Sequence, residues 1–322
     1  MPRVNGIAVA GAFAGGVVLY PPAIAALGRL GMRQRERTDG PSSHLIKAGT
    51  PTAGGLLFTV LLALVWGIAL RGPGGAVVVA AAVLGAAVGF LDDLTKVRRS
   101  TGLRVLPKFA LLALCAAGLA VALWATPGSL QVVPGLGMRD LGMGGLALAA
   151  LALLATANAA NLTDGVDGLA AGCAIPALFA CGLAAGLEHR PLLALTCWSA
   201  AALVLAFLCF NLPPARVFMG DAGSLALGLM LAAAAAETGL LILLPLLALV
   251  YLAEAASVML QVGYFKASKG RRLLRMSPLH HHLELGGLGE WAVDLRLWAV
   301  SLISAGLVVG WAVWSGLGGG HR

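Results

Sequence analysis

The chain has 322 residues, of which 59% are hydrophobic and 11% are charged, and its mean hydropathy is +0.91. Soluble domains contain roughly 25% charged residues, so this composition excludes a soluble protein. The apolar residues form continuous runs and not the alternating pattern of an outer-membrane barrel, which predicts an all-α polytopic integral membrane protein. The net charge of +8 does not indicate nucleic-acid binding, because the basic residues fall in short segments between apolar runs.

Ten apolar segments are predicted to cross the membrane, since a helical span needs about 20 such residues. They lie at about residues 4–28, 53–70, 75–91, 106–125, 142–159, 170–187, 191–210, 222–236, 239–263 and 292–315. The chain has no convincing internal repeat, which argues against a transporter built from inverted halves. We therefore expect one transmembrane domain over residues 1–322.

The loops between these segments differ in charge. The odd-numbered loops, at about 29–52, 92–108, 160–169, 211–221 and 264–291, contain sixteen Lys and Arg residues, whereas the even-numbered loops contain three. Because basic residues accumulate in cytoplasmic loops, the odd loops are predicted to be cytoplasmic and both termini to lie outside. Nearly every other polar cluster also falls in an odd loop, which indicates chemistry at one membrane surface.

The first two odd loops place lysines beside small or acidic residues. In the first, Lys47 and Thr50 precede paired glycines, where the backbone can approach an anion closely. In the second, Asp92 and Asp93 are adjacent, and Lys96 follows on the helical face of Asp93. Adjacent carboxylates are stabilised by a cation between them. Taken alone, each loop has a simpler interpretation: a basic loop that sets topology, and an ion pair at a solvated helix end.

The third odd loop and the end of the segment before it, residues 158–169, read NAANLTDGVDGL and contain no Lys or Arg. Asp164 and Asp167 therefore need compensation from elsewhere in the fold or from a cation. Asn158 and Asn161 are three residues apart on one predicted helix face, where their amides can orient hydroxyl or phosphate groups.

The fourth and fifth odd loops add an aspartate, an aromatic residue and three histidines. Asp221 lies between two glycines, and Phe218 either stacks on a base or sugar or anchors the chain at the interface. The triplet His280, His281 and His282 lacks the spacing of a zinc site and, beside a basic cluster, better suits pyrophosphate oxygens. The alternative is an amphipathic helix on anionic headgroups.

One polar stripe lies within an apolar segment. Glu254, Ser257 and Gln261 recur at helical spacing in the ninth segment, and they are predicted to face the bundle interior or a cavity.

Carboxylates and amides without cysteine ligands are typical of Mg²⁺, a hard cation held partly by substrate phosphates. Basic groups beside such an ion neutralise charge during phosphoryl transfer. The residues alone favour a Mg²⁺-dependent enzyme that moves a phosphorylated group onto a polyprenyl or phospholipid acceptor. A cation transporter and an interfacial scaffolding protein are the alternatives from other classes.

Five motifs resemble, in order, those of the polyprenyl-phosphate N-acetylhexosamine-1-phosphate transferases. They read DGPSSHLIKAGTPTAGG, GFLDDLTK, NAANLTDGVDGLAAG, FNLPPARVFMGDAGSLALG and RMSPLHHHLELGG, within about residues 35–290. The triple histidine and the G-T-P-T stretch resemble in particular the members that transfer phospho-N-acetylmuramoyl-pentapeptide. Ala53 departs from the family, whose members usually have a bulkier residue there.

The resemblance implies transfer of phospho-MurNAc-pentapeptide from UDP-MurNAc-pentapeptide to undecaprenyl phosphate, giving lipid I and UMP in peptidoglycan synthesis. It also implies Mg²⁺ as cofactor, the bacterial cytoplasmic membrane as location and a homodimer as assembly. The nearest alternative is a sister transferase for another UDP-N-acetylhexosamine 1-phosphate, of the O-antigen or teichoic-acid type, against which the contiguous histidines argue.

The resemblance also implies residue roles. The expected catalytic residues are Asp92, Asp93, Asp221, His280 and His281, and the three aspartates are the expected metal ligands. Residues expected at the substrates, from the resemblance or from their own chemistry, are Lys47, Thr50, Lys96, Lys108, Asn158, Asn161, Asp164, Asp167, Asn211, Phe218, Gln261 and His282. Because a phosphate monoester is mostly dianionic at pH 7, we expect the lipid phosphate to attack directly.

Overall fold

The computed structural model describes residues 2–33, 49–70, 72, 74–99, 101–125 and 130–315. Helices dominate this part of the chain. They are α1 (Pro2–Arg29), α2 (Gly55–Val65), α3 (Ala76–Arg99), α4 (Val105–Trp124), α5 (Gly142–Thr163), α6 (Leu169–Leu187), α7 (Pro191–Asn211), α8 (Gly220–Glu237), α9 (Leu244–Leu247), α10 (Leu249–Ala267), α11 (Leu279–Glu284) and α12 (Glu290–Trp314). A π-helix (Trp66–Leu70) extends α2, and a 3₁₀ turn (Leu241–Leu243) precedes α9.

Two short strands form the one hairpin among the described residues. Strands β1 (Gln131–Val133) and β2 (Gly137–Arg139) are antiparallel, with Val132 opposite Met138. The Gln131 side chain is fully buried, donates to the Ala236 carbonyl at 3.0 Å and accepts the Leu241 N–H at 3.0 Å. The hairpin is therefore attached to the end of α8.

The chain is a polytopic helical membrane protein. Seven helices in the described ranges are long and apolar enough to cross a membrane, namely α1, α3, α4, α5, α6, α7 and α12. An eighth crossing is present if α9 and α10, which meet at a bend of 76°, count as one. The other two predicted segments are also helical, as α2 with its π-helical extension and as α8.

Helix α8 lies at the centre of the bundle. Every residue from Ala222 to Ala236 is buried, and α3, α5 and α2 pack against it. A helix that is apolar on all sides is typical of such a surrounded position. Small residues allow the close packing: a Cβ added to Gly228 would lie 2.5 Å from the Ala157 Cα atom. Glycine and alanine commonly provide this kind of backbone approach between membrane helices.

The loops gather at two opposite ends of the bundle. At the C-terminal end of α8, Glu237 accepts the Gly75 N–H at 3.2 Å, its carbonyl accepts the Arg190 guanidinium, and Val132 donates to Gly239 at 2.8 Å. These contacts join the loops that the charge pattern assigns to the even-numbered group. The parts of the odd-numbered loops that the structure describes meet at the N-terminal end of α8, where the polar clusters lie.

Candidate active site

Two carboxylates and two lysines form a cluster where α3 meets the start of α8. Lys96 Nζ lies 2.8 Å from Asp92 Oδ2 and 2.6 Å from Asp221 Oδ1. Lys108 Nζ, from α4, lies 3.3 Å from Asp92 Oδ2 and also contacts Asp221 Oδ2. We call these four residues the carboxylate–lysine cluster. Each ammonium group contacts both carboxylates, so the two positive charges of the cluster balance its two negative charges.

The backbone geometry behind the cluster depends on a glycine. A Cβ atom on Gly89 would overlap the carbonyl group of Asp221, so α3 and α8 can approach this closely only with glycine at that position. The segment between α3 and α4 then covers Asp92, whose Oδ1 accepts the Leu103 N–H at 2.5 Å. Asp92 is only 2% exposed, whereas Lys96 is 40% exposed. A ligand therefore reaches the cluster from the side of the lysines.

Asp93 faces the start of α8, and its only lysine contact in the described part of the chain is a longer one, at 3.8 Å from Oδ1 to Lys96 Nζ. Its two oxygens accept the N–H groups of Asp221 and Ala222 at 3.1 and 3.0 Å. A carboxylate at a helix N-terminus satisfies amides that lack a partner within the helix and interacts favourably with the helix dipole. Gly220, at φ +72°, leaves room for it, because a Cβ there would lie 2.6 Å from Asp93 Oδ2. Asp93 thus fixes the backbone that carries Asp221.

The donor set fits a Mg²⁺ ion that is shared with a substrate. Among the residues that the structure describes, no group of three or more His, Cys, Asp or Glu side chains is arranged to hold a metal unaided. Asp92 and Asp221 face common cations from two sides, whereas Asp93 is engaged by backbone amides. Mg²⁺ is often held by one or two carboxylates, with water and substrate phosphates completing its shell. Two converging carboxylates are therefore sufficient.

The turn between α5 and α6 (residues 164–168) is joined to the loop after α7. Asp167 Oδ2 accepts the Ala215 N–H at 2.9 Å. Asn211 Oδ1 accepts the Gly168 N–H at 2.9 Å, while Asn211 Nδ2 donates to the Val217 carbonyl at 3.0 Å. These bonds, made by two buried side chains, hold the third and fourth odd loops together.

We expect Asn211→Ala to lower the thermal stability of the protein. The substitution leaves the Gly168 N–H and the Val217 carbonyl buried without their partner, at a cost of about 1–3 kcal/mol for each group. Thermal unfolding in lipid nanodiscs measures the effect. Asn158→Ala is the matched control, because the Asn158 amide donates to Leu154 in its own helix. An Asn211→Ala protein that unfolds at the wild-type temperature would contradict the prediction.

Asp164 lies at the end of α5, within electrostatic reach of the cluster. Burial raises its pKa well above the ordinary value, and the charges of Asp221 and Asp93 raise the pKa further. Nearby, Asn161 Nδ2 donates to the Ser224 hydroxyl of α8 at 2.8 Å. The end of α5 is therefore fixed to the same helix turn that carries Asp221.

The described part of the first odd loop lies beside the fourth. The Phe218 N–H donates to the Pro51 carbonyl at 2.8 Å, and the Phe218 carbonyl accepts the Gly54 N–H at 2.9 Å. These bonds bring Thr50 next to the half-buried Phe218 segment. Lys47 lies outside the described residues.

The three histidines have different surroundings. His280 is fully buried, whereas its two neighbours are partly buried. His281 Nδ1 lies 2.8 Å from Glu284 Oε2, and His282 Nδ1 accepts the Arg275 N–H at 3.1 Å. The triplet is thus held in place by its own α11 and by the preceding segment, and each ring faces a different direction.

Gln261 holds that preceding segment against α10. Its Oε1 accepts the N–H groups of Leu273 and Leu274 at 3.0 and 2.8 Å, and its Nε2 donates to the Leu274 carbonyl at 3.2 Å. His280 in turn packs on the α5–α6 turn, where a Cβ atom on Gly165 would overlap the imidazole ring. The described parts of all five odd loops therefore meet at one end of the bundle.

Comparison with known proteins assigns the chain to a family. The sequence profile described as glycosyl transferase family 4 matches residues 75–239. The phospho-N-acetylmuramoyl-pentapeptide-transferase of Moorella thermoacetica is 45% identical over 298 residues, which are 90% of this chain and 92% of the relative. Proteins of the same name from Desulforudis audaxviator and Geobacillus kaustophilus are each 42% identical, over 97% and 96% of this chain and 98% of each relative. The chain belongs to the phospho-N-acetylmuramoyl-pentapeptide transferase family.

The family assignment confirms the resemblance predicted from the five motifs. In this member of the phospho-N-acetylmuramoyl-pentapeptide transferase family, the predicted site residues within the described ranges lie on the loops that meet at one end or on the helix ends beside them. Asp92, Asp221, Lys96 and Lys108 are in mutual contact. Asp167, Asn211 and Gln261 are instead engaged with backbone groups.

Sequence reasoning missed the glycines that make these contacts possible. Gly89, Gly165 and Gly220 each lie where a side chain would overlap or crowd a residue of the site. Their signal in the sequence is position, because each lies within three residues of a site aspartate. That signal is weak in a chain with 44 glycines.

Proposed function

We propose that this chain transfers phospho-MurNAc-pentapeptide from UDP-MurNAc-pentapeptide to undecaprenyl phosphate, giving lipid I and UMP. The observation that carries the proposal is the carboxylate–lysine cluster, which offers two cations and two potential Mg²⁺ ligands at one end of a membrane bundle. A pyrophosphate donor and a lipid phosphate are both anionic, and their reaction needs this kind of charge neutralisation. Relatives that align along nearly the whole chain carry the name of this activity.

We further propose that the cluster lies at the cytoplasmic membrane face of a bacterium. The support is the excess of Lys and Arg in the odd loops, all of which meet at this end. This orientation puts both termini outside, with ten crossings that include α2 and α8. A water-soluble nucleotide donor then enters from the aqueous side, and the lipid acceptor enters from the bilayer. A homodimer is the assembly that the resemblance implies, and cross-linking in nanodiscs tests it.

The proposed chemistry is direct attack by the lipid phosphate. One of its oxygens forms a bond to the phosphorus that carries MurNAc, while the bond from that phosphorus to the UMP oxygen breaks and UMP leaves with the electron pair. Lys96 and Lys108 neutralise the phosphate charges. The oxygens of Asp92 are already engaged by Leu103 and the two lysines, which favours a positioning role over attack on phosphorus. Trapping a phosphoryl-aspartate in the absence of lipid would overturn this assignment.

Asp221 and Asp92 are the proposed Mg²⁺ ligands, and Asp93 keeps Asp221 in place. A bound Mg²⁺ ion would supply charge neutralisation for the pyrophosphate. We assign the uridine end of the donor to the surface formed by the α5–α6 turn and the Phe218 loop, which are joined by the hydrogen bond of Asp167.

An assay of UMP release tests the proposed function. The protein in nanodiscs is expected to release UMP from UDP-MurNAc-pentapeptide when undecaprenyl phosphate and Mg²⁺ are both present, and to stop when EDTA removes the metal. Omission of the lipid is the matched control. UMP release from UDP-N-acetylglucosamine but not from the MurNAc donor would instead assign the chain to the sister transferases, and no release from either donor would overturn the proposal.

A further inference from the structure

A carboxylate buried in the helix bundle is paired with the first histidine of the triplet. Glu254 of α10 and His280 are both fully buried. Each carboxylate oxygen of Glu254 lies 3.2 Å from the backbone nitrogen of His280, which donates its N–H. Oε2 is also 3.2 Å from Nδ1 of the ring, at ion-pair distance but outside hydrogen-bond geometry. A carboxylate in a membrane helix is costly unless it is paired, so this contact accounts for Glu254.

The opposite side of the His280 ring contacts the α5–α6 turn. A Cβ atom on Gly165 would overlap His280 Nε2, so the ring lies directly against the backbone between Asp164 and Asp167. Because His280 has no exposed surface, the ring in this arrangement contacts the turn and not a solvent-accessible ligand. The chain of contacts therefore runs from Glu254 through His280 to Gly165.

We propose that Glu254 and His280 are positioning residues for the α5–α6 turn. Glu254 holds His280, and His280 supports the backbone of Gly165, which sets the positions of the flanking Asp164 and Asp167. His280 thereby acts on the turn and not on the phosphates of the substrate. This role deepens the proposed function and rests on it, because the proposed function assigns the α5–α6 turn to the nucleotide donor.

Hydrogen–deuterium exchange of the unliganded protein in nanodiscs tests the positioning role without an assay of activity. Glu254→Met keeps the side-chain length but removes the acceptor of the His280 N–H, whereas Glu254→Gln retains an acceptor oxygen. Peptides that cover residues 161–170 are expected to exchange at least about threefold faster in Glu254→Met and in His280→Ala, and close to the wild-type rate in Glu254→Gln. Ser257→Ala is the matched control, since its hydroxyl donates to the Glu254 carbonyl within α10.

Steady-state kinetics gives a second readout that a general folding defect does not produce. We expect Glu254→Met to raise KM for the nucleotide donor about tenfold, with kcat and KM for the lipid acceptor changed by less than about threefold. The double variant Glu254→Met/His280→Ala is expected to be no worse than the more affected single variant, because both changes act through one contact.

Three outcomes would overturn the inference: unchanged exchange over residues 161–170, fold-losses that multiply in the double variant, or equal effects on both KM values. Failure of the wild-type protein to release UMP overturns the proposed function alone. The exchange measurement needs no substrate, so it still decides the positioning role in that case.

Discussion

Asp221→Asn is expected to lower UMP release about 10²–10³-fold, the size of loss seen when one preorganised group that stabilises transition-state charge is removed. Asp221 joins both lysines of the cluster and is a proposed Mg²⁺ ligand. An amide of the same shape removes the charge that balances Lys96 and Lys108 and binds Mg²⁺ weakly. The measurement is the initial rate of UMP release at saturating substrates, with circular dichroism to verify the helical fold.

Asp140→Asn is the matched control for this experiment. Asp140 is an exposed carboxylate that accepts the Gly142 N–H at 2.8 Å, at the end of α5 opposite Asp164. This substitution removes the same charge as Asp221→Asn, but at the far end of α5, about 33 Å along the helix from Asp164. We expect the Asp140→Asn protein to retain the wild-type rate. More than a tenth of the wild-type rate in Asp221→Asn would contradict the assignment of Asp221 as a metal ligand.

Gly89→Ala is expected to lower both the unfolding temperature and the rate of UMP release. The added methyl group would overlap the carbonyl group of Asp221 and the nitrogen of Ala222, which are backbone atoms that cannot rotate away. Helices α3 and α8 must then separate, at a cost of about 1–3 kcal/mol for overpacking. A displacement of about 1 Å between Asp92 and Asp221 is expected to lower the rate about 10²-fold.

The control for this second experiment is Gly118→Ala on α4, where no atom lies within 4 Å of an added Cβ. Alanine is favoured over glycine in a helix by up to about 1 kcal/mol, so the control should be at least as stable as the wild-type protein. Thermal unfolding and UMP release are measured on both variants in the same nanodiscs. Wild-type values for Gly89→Ala would show that the close approach of α3 and α8 is not required.

The charge pattern of the sequence divided the loops into the same two groups that the described structure places at opposite ends of the bundle. The pattern is informative because the residues that set membrane orientation and the residues of the active site both lie mainly in or beside loops. The aspartates that the structure brings together at this end were also singled out from the sequence, since carboxylates beside apolar segments are rare. The difference between Asp92 and Asp93 was not predictable from their adjacency. It depends on where α8 begins relative to α3, which places two backbone amides against Asp93 and brings Lys96 closer to Asp92, at 2.8 Å, than to Asp93, at 3.8 Å.

The histidine triplet shows the same limit of sequence reasoning. A run of three identical residues gives no indication of which ring is buried, and the burial of His280 follows from its contacts with Glu254 of α10 and with the α5–α6 turn at Gly165. The apolar segments were predicted from composition, but the π-helical end of α2 and the 76° bend within the predicted ninth segment have no composition signal.

The complete enclosure of α8 affects how this protein responds to the bilayer around it. Lipid-facing helices tilt or shift when the hydrocarbon thickness changes. In the apolar stretches that would cross the membrane, only 17% of the residues of α1 and 22% of those of α4 are buried by protein, so both helices are largely exposed to lipid. Helix α8, in contrast, is buried at every residue between Ala222 and Ala236. Changes in membrane thickness therefore act first on the outer helices. The helix that carries Asp221 is enclosed by protein, whereas α4, which carries Lys108, is not, so a change in lipid composition is expected to move Lys108 before it moves Asp221.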